Sequence, residues 1–178
     1  MPHRLTVAAA LAALITLTGC ETPTSQRYAV SAENNVAIKA LSVSGIAVGA
    51  FAEPLDFWPA CRLVGDARVA DGITHAQYIR RALLSELLLA GAASPGPARV
   101  TLTGLFDKIE FSSGGRWVID MTLKSSNGRN LRVVERYEYD IGFMGTESCR
   151  LVAEAFPRAV QNLIGKAVRH PQFVSLVN

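Results

Sequence analysis

The chain predicts an α+β fold: a mostly antiparallel sheet of about four strands with two helices packed on one face, in the order β-α-β-β-β-α. Three observations carry this. Residues 100–141 hold three strand-like runs separated by short turn sequences, SSGG and SSNG. Two stretches, near 74–91 and 146–169, repeat apolar residues at helical spacing. A run rich in β-branched residues, VAIKALSVSGIAVGAF at 36–51, precedes them all.

The chain begins MPHRLTVAAALAALITLTGC, a short basic start followed by an apolar run from Leu5 to Leu17 and then Leu17-Thr18-Gly19-Cys20. The alternative is a membrane-spanning anchor, but the run is only about thirteen residues where a bilayer core needs roughly twenty. A positive start, a short apolar run and small residues at its end describe a processed secretion signal. This stretch resembles a bacterial lipoprotein signal with its lipobox. The resemblance implies cleavage before Cys20 and a diacylglycerol on the Cys20 thiol, so residues 1–19 are a signal peptide. The protein is then expected in the cell envelope, lipid-anchored and facing the periplasm. The resemblance also brings the sorting rule of such lipoproteins: Glu21 is not the aspartate associated with inner-membrane retention in enteric bacteria, which implies the outer membrane as the expected address.

Removing Arg4 with the signal lowers the net charge from +3 to about +2. That is too mild to argue for nucleic acid. From Cys20 onward the chain is one domain's length. In the oxidising compartment that the signal implies, Cys61 and Cys149 are expected to join. A redox pair is the alternative, but neither cysteine belongs to a C-x-x-C motif.

Residues 20–35, the lipidated Cys and ETPTSQRYAVSAENN, are polar and expected to be a flexible tether. It would reach about 50 Å if fully stretched. A single domain then spans 36–178. Its first strand is expected within 36–51, with Gly45 marking a bulge or break. The following loop, AEPLDFWPACRLVGDARVADG, carries Phe57 and Trp58. These either cover one end of the core near Cys61 or form a lip facing a partner or lipid.

Thr74-His75-Ala76-Gln77 fits a capping box, with Thr74 reaching the Gln77 amide and Gln77 reaching back. Tyr78, Ile79, Ala82, Leu83, Leu87 and Ala90 share one helix face, and Gly91 supplies the left-handed stop. Leu84 and Leu88 lie one turn apart beside that stripe, a candidate second apolar patch. Strands are expected at Val100–Phe111, Arg116–Lys124 and Asn130–Ile141. Asn127-Gly128 invites a two-residue turn, but side-chain parity opposes it. Pairing Ser125 with Arg129 sets Leu123 opposite Leu131, Met121 opposite Val133 and Trp117 opposite Tyr137, with Gly128 left-handed. A slip of one residue would turn every apolar side chain outward. Arg132 and Arg136 then share the other face with Asp120, Thr122 and Lys124, a mixed-charge face and a candidate binding surface. The last helix carries Cys149, Ala153, Phe156, Val160, Leu163, Ile164 and Ala167 inward. Pro157 predicts a kink or two helices, and QFVSLVN a docked tail.

Catalytic chemistry is not legible. His75 and His170 fall at helix ends, both expected exposed, and neither has metal-ligand spacing. No nucleophile stands in a motif with a base. No enzyme activity, cofactor or metal is expected.

The order of elements behind a lipobox resembles small Gram-negative envelope lipoproteins. These include the outer-membrane lipopolysaccharide-assembly lipoprotein and auxiliary lipoproteins of lipid-transport ABC systems. The likeness rests on GIAVGAF (45–51), the capped helix Tyr78–Leu87 and VTLTG (100–104). It implies a fold and a compartment, and no functional residue beyond Cys20; an unidentified envelope protein partner is a separate expectation. A lipid-anchored, non-catalytic binding or support domain is the expected function. A ligand- or lipid-carrying module with a cavity between helices and sheet is the alternative.

Overall fold

The structure is a computed structural model and describes residues 22–178 except Pro95 and Ser113. The signal sequence and Cys20 lie outside the described residues. The fold is α+β. Four strands, β1 (Ile46–Ala52), β4 (Val100–Ser112), β5 (Arg116–Ser125) and β6 (Asn130–Glu138), form a sheet in the order β1-β4-β5-β6. A small hairpin, β2 (Ala60–Cys61) with β3 (Gly65–Asp66), stands apart within the loop after β1.

The sheet is mixed. β4–β5 and β5–β6 are antiparallel, whereas β1 runs parallel to β4. Parallel neighbours need a long crossover, and helix α2 (His75–Leu89) lies within it. β1 loses its register with β4 between Val48 and Phe51. The slip turns Phe51 into the core while Ala50 stays exposed, breaking the alternation expected for this strand. Phe51 lies flat against Gly104, where even a methyl group would collide with the ring. The Arg80 guanidinium, reaching from α2, donates to the Gly49 and Val48 carbonyls at 2.6 and 3.0 Å, satisfying backbone at the slip.

The helical count departs from two. A first helix, α1 (Ala32–Ala40), stands where tether and strand were expected. A short C-terminal helix, α4 (Phe173–Val177), is the docked tail, burying Phe173, Leu176 and Val177. The Asn127 amide reaches from the β5–β6 loop to the carbonyls of Ser175, Leu176 and Asn178. The long helix α3 (Gly145–Val168) is continuous, with Pro157 inside it, rather than split. α2 packs on β1, α3 on β5 and β6, and α1 covers both helices.

Residues 22–35 are therefore not a tether. The Ser25 amide donates to the Arg68 carbonyl and the Arg68 amide to the Pro23 carbonyl, both at 2.8 Å. The Tyr78 hydroxyl donates to the Gln26 carbonyl at 2.8 Å. Glu86, fully buried on α2, then gathers the segment. Its Oε1 accepts from the Tyr28 hydroxyl at 2.6 Å, the Ser31 amide at 2.9 Å and the Asn34 side chain at 3.3 Å. A buried carboxylate is tolerated only with such donors. Burial, and then the Glu86 carboxylate beside it, pushes the Tyr28 phenol well above its ordinary value. Tyr28→Phe removes one donor from a buried acceptor and is expected to cost about 2 kcal/mol. Urea denaturation checks this. A loss below about 0.5 kcal/mol would show that this contact does not hold the segment down.

Candidate functional site

Three features meet at one end of the domain. The Cys61–Cys149 disulfide, with Cα atoms 5.8 Å apart, ties the β2–β3 hairpin to the first turn of α3. The loop from Tyr139 to Met144 crosses from β6 to that same turn. It is pinned by the Tyr139 amide on the Gly115 carbonyl at 2.8 Å and by the Ser148 hydroxyl on the Gly142 carbonyl at 2.8 Å. Thr22, Pro23 and Thr24 enter beside both, lining one open groove with Val64, Thr146, Glu147 and Arg150. The chain that leads back to Cys20 therefore emerges at the disulfide end.

An open cleft of about 350 Å³ lies nearby, at the start of α2. Glu53, Phe57, Arg68, Thr74 and His75 are among its walls. Glu53 caps the helix by accepting from the Ala76 amide at 3.1 Å, and its Oε1 stands 4.0 Å from His75 Nδ1. His75 is buried, against the expectation of an exposed first-turn residue. Phe57, Trp117 and Phe156 surround its ring at centroid distances of 4.8, 5.8 and 4.9 Å. Those three rings come from three separate segments, so local spacing carried no sign of them. Burial lowers the imidazole from its ordinary 6.5 to about 4.

At neutral pH His75 is thus a neutral core ring. Its depressed value makes stability depend on pH in one direction. The contribution is fully present above about pH 6.5 and is lost as pH falls toward 4, where the unfolded chain takes up the proton first. The shift corresponds to about 3 kcal/mol. His75→Leu is expected to flatten the loss of stability between pH 6.5 and 4 in urea titrations. An unchanged slope would assign that acid sensitivity to other groups.

The other sequence candidates are dispersed. Leu84 is half-buried against the core while Leu88 is exposed, so the two do not form one open patch. Both lie on α2, and Leu88 and Leu89 stand at its C-terminal end, away from the disulfide. Arg132 makes a two-point contact with Asp120, Nε to Oδ1 at 2.8 Å and Nη2 to Oδ2 at 2.6 Å. That hydrogen bonding holds the Asp120 carboxyl below its usual value. Arg136 is exposed on the same outer face of the sheet. Phe57 and Trp58 part company, Phe57 packing on His75 and Trp58 standing in solvent. Sequence reading missed Glu86 and Glu135 as interior groups. Glu135 faces the helices from β6 and pairs with Lys166 Nζ of α3 at 2.7 Å. Its position two residues from Val133 on the inward face was the available signal.

Among the described residues, no group of three His, Cys, Asp or Glu is placed to hold a metal ion. None of the described helices is long and apolar enough to cross a membrane.

No protein-family model matches the chain, and no curated protein matches it. Solved structures similar to this chain include two at low identity. One is a dodecamer of a PelC variant from Paraburkholderia phytofirmans, at 15% identity and a TM-score of 0.36, covering 76% of this chain and 93% of that one. The other is the crystal structure of an uncharacterized protein, at 16% identity and a TM-score of 0.44, covering 81% of this chain and 97% of that one. Likenesses this distant carry no argument about function.

Proposed function

We propose that this chain is a lipid-anchored, non-catalytic periplasmic domain that binds or supports another component of the cell envelope. The Leu17-Thr18-Gly19-Cys20 sequence after a short apolar run is the observation that carries it. The attachment residue is Cys20, and the outer membrane is the proposed address. The disulfide between Cys61 and Cys149 suits an oxidising compartment.

The geometry supports a support role more than a carrier role. The space between sheet and helices is filled by Trp117, Phe156, Ile119, Met121 and Leu163, all buried. The clefts described above open to solvent. Crosslinking of the anchored protein in intact cells, followed by recovery of the chain and its adducts, tests the reading. A specific envelope protein in the adduct is the expected result. Recovery of no partner, together with native mass spectrometry showing a lipid inside the purified domain, would replace it with the carrier reading.

A further inference from the structure

We infer that the disulfide end of the domain is a bilayer-docking face, in which Leu63, Phe143 and Met144 enter the lipid interface beside the anchored N-terminus. The inference rests on the reading that Cys20 carries lipid.

Exposed large apolar side chains occur at several places among the described residues, Leu55, Leu88 and Leu105 included, and four of them belong to this end. Leu63 and Phe143 are essentially fully exposed, at 105% and 99%, and Met144 at 64%. Leu63 sits at the tip of the β2–β3 hairpin, and Phe143 and Met144 precede the first turn of α3. These two tips are neighbours. The disulfide joins their bases. A methyl group on Gly145 would lie in contact distance of Arg62 and Val64, at 3.7 and 4.0 Å. Ile141, also exposed, belongs to the same loop and lies over Gly115 in the β4–β5 turn. Side chains of this size bared on adjacent tips mark an interaction site rather than ordinary surface.

The path of the chain names the occupant. Thr22 and Pro23 line the groove shared with Val64, Thr146 and Glu147, immediately beside these tips. Only Glu21 lies between Thr22 and Cys20. Two residues span at most about 7 Å, so a lipid on Cys20 puts the bilayer surface within reach of the tips. Because residues 23–34 are bound to Arg68, Tyr78 and Glu86, the domain has no long leash on which to stand away from it.

The charges at this end do not select an anionic surface. Arg150 is paired with Glu154 at 2.6 Å, and the segments at this end carry Asp66 and Glu147 as well as Arg62 and Arg68. Docking is therefore by apolar insertion, adding a second signal to the covalent lipid as stable anchoring requires.

Quenching by brominated lipid reads the orientation directly. The lipidated chain is placed in phosphatidylcholine vesicles whose acyl chains carry bromine. Trp58→Phe removes the exposed indole, leaving buried Trp117 as a constant background. In that background, Phe143→Trp is expected to lose at least half of the added emission, and Leu88→Trp, at the far end of α2, almost none. Equal, weak quenching of both, with the protein still in the vesicle fraction, would overturn the docking face while leaving the anchor standing. Intact mass of the same sample reads the anchor separately. A chain without lipid at Cys20 would overturn the anchoring reading and the docking face that depends on it.

Discussion

Cys61→Ala combined with Cys149→Ala is expected to destabilise the domain by about 4–5 kcal/mol on chain entropy alone. The bridge joins cysteines 88 residues apart, a separation that makes the unfolded chain much freer once it is cut. Both cysteines are buried, so some packing is lost as well. The effect has a local part too. The β2–β3 hairpin is only two residues on each side and belongs to no larger sheet, so few contacts besides the bridge hold it against α3. Urea midpoints of the oxidised chain and the double variant measure the global loss, and amide exchange at 60–66 measures the local one. A global loss under about 1 kcal/mol would mean that packing alone seats the hairpin.

Trp117→Ala should cost a comparable amount, about 3–5 kcal/mol. Trp117 is fully buried on β5, and its indole donates to the Val152 carbonyl of α3 at 2.9 Å. Phe111, Phe156 and His75 stack around it at 4.9, 4.7 and 5.8 Å. The ring therefore ties the sheet to both long helices at the end where the disulfide lies. Trp117→Phe keeps most of the apolar area and loses the hydrogen bond, so about 1–2 kcal/mol is expected. Thermal or urea unfolding of the two variants separates the contributions. If phenylalanine proves as costly as alanine, the hydrogen bond rather than ring packing is what joins α3 to the sheet.

What the sequence made legible was local or fixed by parity. The capping box of α2 is complete, Gln77 donating its amide to Thr74 Oγ1 at 3.2 Å and Thr74 donating to Gln77 Oε1 at 3.1 Å. At the β5–β6 turn Ser125 pairs with Arg129 as expected, its amide donating to the Arg129 carbonyl at 2.9 Å across three intervening residues. Leu123 faces Leu131, Met121 faces Val133, Trp117 faces Tyr137, and Gly128 is left-handed at φ +86°. Gly45 and Gly91 take positive φ at the two breaks expected of them.

What escaped was held by polar or long-range contacts. α1 buries Asn34 and Asn35 along with Ile38, so its inward face carries little of the apolar period that marks a helix. Its own start signal was present in Ser31, whose side chain accepts from the Asn34 amide, but without the apolar run that makes such a cap persuasive. Reading that segment as a tether followed from its composition. Glu86, far away on α2, is what reverses that reading. The parallel β1–β4 pairing likewise depends on how the crossover packs, which alternation within β1 does not encode. The candidate site was legible at Cys61 and Cys149 and illegible at Phe143, because exposure of a loop side chain is a property of the assembled end.

Anchoring and docking both turn on Cys20, and the mass of the protein recovered from its own membranes tests that residue directly. The expected result is a chain beginning at Cys20 whose mass exceeds that of the polypeptide by a diacylglycerol and any further acyl chain. Cys20→Ser should then move the protein out of the membrane fraction, since the apolar tips alone give weak and reversible binding. A wild-type chain of unmodified mass, or a Cys20→Ser variant held at the membrane as firmly as the wild type, would contradict it.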